Sequence, residues 1–228
     1  PYPYGTFRVV ENFFETGFGM PSFTLLGPSV IRLPFLLKSS FPHEVLHNWW
    51  GKSVYVDWER GNWSEGLTTY SADHWQQEEA GTAAEYRRQT LATFQDFVRE
   101  ENDFPLRQFK GRHDAGSQAV GYGKSMFLFH MLKQLLGDMQ FTETLRSFYR
   151  RNVFKKVSFE EIQSAAEEVS GRNLDLFFAQ WLDRTGMPSL KLKKATRDVS
   201  QRSVQLTLAQ SSAGASVYDL IVPVKMSL

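Results

Sequence analysis

Residues 43–47 read His-Glu-Val-Leu-His, two imidazoles four residues apart with a carboxylate beside the first. On an α-helix, residues i and i+4 project from one face about a turn apart, so His43 and His47 can hold one metal ion. Glu44 points round the same helix toward an open coordination position, where a carboxylate can take the proton from an activated water. Glu65 stands at the head of a second amphipathic stretch, residues 62–70, and is the candidate third ligand, with Glu59 in the preceding loop as the fallback. Three protein ligands leave one position open, which is the catalytic rather than the structural arrangement for zinc. The pattern is that of a hydrolase carrying one Zn2+ per chain.

Any one of these histidines taken singly reads as an ordinary core residue. It is the pairing that carries the chemistry, reinforced by the apolar, Trp-rich run from Phe41 to Gly51. His74, His113 and His130 have no partner at metal spacing and read as structural or exposed. Trp49, Trp50, Trp58 and Trp63 read as packing for the metal domain.

The elements that must position these groups follow from periodicity. Residues 1–38, rich in Gly, Pro and aromatics, read as strand, loop and short helix. The spacing then predicts a helix over 40–50 that stops at Gly51, a short strand over 53–56, and a helix from Ser64 to Gly81 that carries Glu65. Thr82-Ala-Ala-Glu85 reads as a capping box for a helix that ends before Pro105. Further helices are expected over 117–136, 138–151, from Ser158 to Gly171, and over 173–184. After Pro188 the pattern alternates, with strands expected over 190–192, 204–208 and 220–228. The fold class is α+β: a mainly helical domain over 1–186, then a β module over 187–228 whose three strands are too few to bury both faces of a sheet.

With 228 residues, 42% hydrophobic and 14% aromatic, the chain can bury a substantial core. A formal net charge of +1, from 26 basic and 25 acidic residues without a basic run, argues against nucleic acid as a partner. No apolar stretch is long enough to span a bilayer. The absence of Cys excludes disulfides and Cys-ligated zinc. The start at Pro1-Tyr2-Pro3-Tyr4, with neither Met nor signal peptide, suggests a cut fragment.

Four blocks in order resemble the gluzincin aminopeptidases, the family that contains membrane alanyl aminopeptidase and leukotriene hydrolase. Residues 43–51 are similar to the family's H-E-x-x-H-x-W-[FW]-G block, and 63–70 to its W-x-x-E-G-[FL]-[AT]-x-Y block. Tyr122-Gly-Lys-Ser125 resembles its Tyr-x-Lys-Gly block, and residues 177–188 its exit from the helical bundle. The resemblance implies a thermolysin-like zinc peptidase domain over 1–186 followed by the start of a β-sandwich, with an N-terminal β-domain that lies outside this chain. It assigns His43, His47 and Glu65 to zinc, Glu44 to the general base, Tyr122 to the hydrogen bond on the developing oxyanion, and a peptide as substrate.

Three departures accompany it. His47 and Glu65 are separated by 17 residues where the family usually has 18. The carboxylate that the family carries seven residues after the zinc Glu is Ala72 here, with Asp73 next to it. The family's Gly-Ala-Met-Glu-Asn loop, whose Glu binds the substrate's free amine, corresponds to Phe18-Gly19-Met20-Pro21-Ser22. Gly19, Met20, Pro21 and Ser22 are expected to line the cleft, but Pro21 cannot anchor an ammonium, and Glu11 and Glu15 are the acids that could replace it. Alternatives to a peptidase are a non-catalytic zinc-binding scaffold and a hydrolase of a non-peptide substrate.

Overall fold

The computed structural model describes residues 2–38, 40–198, 200, 202–211 and 217–224. It opens with a three-stranded sheet of β1 (Arg8–Glu11), β2 (Gly17–Met20) and β3 (Phe23–Leu26), ordered β1-β3-β2. β1 runs parallel to β3, and β2 runs antiparallel to it with Met20 opposite Phe23. The two residues between them make the turn: Pro21 with its ring-fixed φ, and Ser22 at φ +70. Asn48, the residue after His47, accepts a hydrogen bond from the Ser22 backbone N–H at 3.0 Å and so ties this turn to the metal-binding segment. As the outer strand, β2 keeps one backbone edge unpaired within the sheet.

The first helix, α1 (Ser40–Leu46), is shorter than the expected 40–50. It ends early because Trp50–Gly51 (β4) pairs in parallel with β5 (Val54–Val56), which extends the chain immediately after His47. Gly51 allows the change of direction with φ +100. β5 also pairs in parallel with β6 (Lys156–Val157), which brings the second half of the chain against the first. Trp63 seals that junction, fully buried and donating from Nε1 to the Val157 carbonyl at 3.0 Å.

The Glu65 helix is built in three sections: α2 (Ser64–Thr68), a π turn (Thr69–His74) and α3 (Trp75–Glu79). α4 (Ala83–Phe97) follows as expected, but without the predicted capping box. The Thr82 hydroxyl donates to Gln77 Oε1 at 2.7 Å, and Glu85 pairs with Arg88 at 2.6 Å, so both halves of the box are spent elsewhere. α5 (Ala115–Gln118), a second π turn (Ala119–Lys124) and α6 (Ser125–Leu136) make up the next helix, which stops at Gly137. α7 (Asp138–Asn152), α8 (Phe159–Ser170) and α9 (Asp175–Leu182) complete the bundle, and α8 does carry a capping box, from Ser158 and Glu161. Leu67, Met126, Phe129, Phe148, Phe159 and Phe178 are fully buried at the centre. Each contributes roughly 1.5–3 kcal/mol by leaving water.

Beyond the bundle, β7 (Ser189–Asp198) and β8 (Ser203–Ser211) form an antiparallel ribbon, longer than the expected segments and exposed along nearly all its length. The strand expected over 220–228 is not formed in residues 220–224, and 225–228 lie outside the described residues. The chain there is drawn onto α9 instead: Gln180 exchanges two hydrogen bonds with the Asp219 backbone, at 2.9 and 3.0 Å, and Tyr218 packs on Trp181. An amide side chain takes up the backbone groups that a strand partner would have used.

Candidate metal centre

α1 brings His43 and His47 to one face, with ring centroids 4.9 Å apart, and α2 places Glu65 opposite them. Glu65 Oε2 lies 3.4 Å from His43 Nε2 and 3.3 Å from His47 Nε2. Four donors arranged tetrahedrally at zinc's usual bond lengths stand about 3.3 Å from one another, and the Glu65 oxygen stands at that spacing from each imidazole nitrogen. The three side chains are 12%, 9% and 19% exposed, which leaves an opening but little free solvent. Glu59 is not part of the group; it sits in the exposed 3₁₀ turn Trp58–Arg60.

The outer ring nitrogens are held as well. His43 Nδ1 donates to Asp73 Oδ2 at 3.0 Å, and His47 Nδ1 donates to the Trp50 carbonyl at 3.1 Å. Both arrangements put the proton on Nδ1 and aim the Nε2 lone pairs at the shared centre. The π turn explains why Asp73, rather than Ala72, takes this place: its wider winding moves the inward-facing position one residue along. The same centre attracts positive charge strongly. Burial alone would lower the pKa of His43, but hydrogen bonds to Asp73 and Glu65 overcome it and raise the pKa to about 10. Burial opposes ionisation of Glu65, but the two histidines outweigh it and hold the carboxyl well below the usual range.

Glu44 lies between the ligand helix and β2. Burial raises its pKa, against the pull of His47 and His43, while the Gly19 backbone N–H donates to it. The glycines of β2 permit this close packing. A Cβ on Gly19 would come 2.7 Å from His47 Cβ, and one on Gly17 would come 2.9 Å from Glu44 Oε1. Of the four residues expected to line the cleft, Gly19 and Met20 lie on β2, with Gly19 against Glu44 and His47. Pro21 and Ser22 form the turn above Asn48. Of the two acids considered as amine anchors, Glu11 pairs with Arg32, and Glu15 accepts from the Ser29 backbone and hydroxyl at 3.0 Å.

Tyr122, on the second π turn, stacks along His43 with centroids 6.3 Å apart and rings 15° from parallel. Burial and then the facing Glu65 charge push its phenol above the ordinary value, so it stays protonated and can donate. His43, Glu44, Asp73 and Tyr122 share a cavity of about 370 Å³ with Lys38, Gln76 and Arg112. The sequence did not single out these last three, whose only signal is proximity in the fold.

Folding also assembles a group that spacing did not foretell. His74, Glu78 and His130 approach within 4.8 Å of one another, His74 fully buried. Arg87 donates to His74 Nε2 at 2.8 Å, and Lys133 stands 3.6 Å from Glu78. Burial, then Arg87, lowers both imidazoles to about 4. Two fixed cations already occupy the surroundings of this group.

The peptidase family M1 domain matches residues 37–181 of the chain. Among curated relatives, Aminopeptidase M1-D of Oryza sativa subsp. japonica is 24% identical over 182 residues, covering 75% of this chain and 20% of that protein. Tricorn protease-interacting factor F2 of Thermoplasma volcanium is 23% identical over 167 residues, covering 67% and 20%. The chain thus spans about a fifth of the length of these relatives. Among solved structures, an M1 zinc metallopeptidase variant from Deinococcus radiodurans, bound to a Tyr-Ser-Ala substrate, superposes with a TM-score of 0.66 at 21% identity. That match covers 83% of this chain and 42% of the other. A two-domain M1 zinc metallopeptidase bound to L-tryptophan gives 0.67 at 21% identity, with the same coverage. No helix among the described residues is long and apolar enough to cross a membrane.

Proposed function

The chain belongs to peptidase family M1, and from that premise we propose that it is the catalytic portion of a zinc metallopeptidase that hydrolyses peptide bonds. In this reading residues 1–186 form the catalytic domain and 187–228 begin a β-sandwich. The observation that carries it is the convergence of His43 Nε2, His47 Nε2 and Glu65 Oε2 at ligand spacing, with Glu44 alongside.

Zinc held there by His43, His47 and Glu65 supplies Lewis-acid polarisation of the carbonyl and activation of water. The remaining chemistry belongs to the side chains. Glu44 accepts the proton of the attacking water, and its burial raises its proton affinity. It then passes that proton to the departing amine. The Gly19 N–H holds the carboxylate in place without adding a side chain that would fill the cleft. Tyr122 donates its hydroxyl to the oxygen that gains charge, a contact typically worth a few kcal/mol. The free edge of β2 offers backbone groups to an extended peptide.

Elemental analysis should find close to one zinc per chain, lost in Glu65→Ala and retained in Glu59→Ala. Glu44→Gln should keep the zinc and lower peptide hydrolysis by about 10²–10⁴-fold, because it removes the base and no ligand. Full activity in that variant would refute the mechanism. Pro21, in the place of the family's amine anchor, is what favours a second reading as a zinc-binding scaffold. A zinc-loaded wild type that cleaves no peptide in a broad library would establish it.

A further inference from the structure

We infer that the cavity beside the metal centre selects substrates carrying a carboxylate, held by Arg112, Lys38 and the side-chain amide of Gln76. The inference rests on the peptidase reading of the centre and adds to it the substrate's chemical class. The acids among the cavity's lining residues are Glu44 and Asp73. Glu44 faces the metal ligands, and Asp73 is engaged by His43. Neither is free to anchor an ammonium.

The cations are placed differently. Arg112 and Lys38 both line the cavity, both are exposed, and neither has an ion-pair or hydrogen-bonding partner for its side chain among the described residues. Gln76 Nε2 is buried and likewise has no acceptor among them. A buried donor without an acceptor is destabilising, and an incoming oxygen would supply the acceptor it lacks. Two unpaired cations and an unspent N–H around one cavity suit a carboxylate: guanidinium presents a fork that matches its two oxygens, and ammonium adds a point charge. A positively charged substrate end would meet like charges there. Pro21, in the turn above Asn48, offers no charge, and Glu11 and Glu15 are occupied elsewhere. The carboxylate could belong to an Asp or Glu side chain or to a peptide C-terminus.

The test uses tryptophan fluorescence of the Glu44→Gln chain, titrated with and without zinc. The probes are N-acetylated peptides of equal length: one with Glu and an amidated C-terminus, one with Gln and a free C-terminus, and one with Gln and an amide. At least one carboxylate peptide should bind about tenfold or more tightly than the neutral one. The advantage should shrink in high salt and vanish in Arg112→Gln/Lys38→Gln, whose affinity for the neutral peptide should not change. Which carboxylate peptide wins identifies the source. Equal binding of all three, no binding, or a preference that survives the double substitution would overturn the inference. Zinc content and hydrolysis by wild type are measured separately, so failure of the metal centre is distinguishable from failure of this recognition.

Discussion

Asp73 shows how a residue's role depends on winding as well as on order. It lies eight residues beyond Glu65, where a regular helix would turn it away from the centre, and the π turn at Thr69–His74 brings it back to His43. Asp73→Ala removes the acceptor that fixes the His43 tautomer and should weaken zinc binding by about 10–100-fold, measured by competition with a chromophoric chelator. Asp73→Asn, which retains an acceptor oxygen, should recover part of the loss; unchanged affinity in Asp73→Ala would remove the residue from the centre. The grouping of His43 with His47 was legible because residues four apart share a helix face, and the order of blocks pointed to Glu65 and Tyr122, which the fold brings beside them. The partner of His43 was not legible, because spacing rules assume uniform helical winding. Lys38, Gln76 and Arg112 were invisible for a different reason: single polar residues carry no signal until the chain folds them into one cavity.

Among the elements, the contact between α2 and α6 sets where Glu65 can stand. Gly66 makes it possible: a Cβ there would lie 1.8 Å from Ser125 Oγ and 2.2 Å from Ser125 Cβ. Gly66→Ala must therefore push the two helices apart next to a ligand. The substitution should cost roughly 1–3 kcal/mol in urea unfolding of the zinc-free chain and lower zinc affinity as well. A variant that matches wild type in both measurements would show that the contact is slack. The bundle helices from α4 onward were readable from apolar spacing and glycine stops, with small shifts of boundary. The helix start at Ser158 was readable, while capping was misread at Thr82, where a competing side chain, Gln77, is supplied by the preceding turn. The truncation of α1 could not be read locally, since it depends on β5 and β6, from parts of the chain about a hundred residues apart, pairing side by side.

Across the whole molecule, Lys124 joins the metal centre to the point where helices give way to strands. It is 1% exposed, sits on the second π turn, and donates from Nζ to the Arg184 carbonyl at 2.5 Å. Burial lowers its pKa to about 8 from 10.5. Between those values the unfolded chain binds the proton and the folded chain does not, so folding stability should rise with pH there. Below pH 8 the contribution is constant. Measured as the difference between wild type and Lys124→Met in urea unfolding, the rise should be roughly 2–3 kcal/mol from pH 8 to 10.5. A flat difference would show that the lysine keeps its proton in the fold. On the other side of the centre, the hairpin of β2 and β3 is pinned to the ligand helix at both ends: by Asn48 at the Ser22 turn, and by the Gly17 and Gly19 contacts along the strand. Strand and helix are thus packed with no room for a side chain between them, so any shift of β2 is felt directly at Glu44 and His47, the residues proposed to do the chemistry.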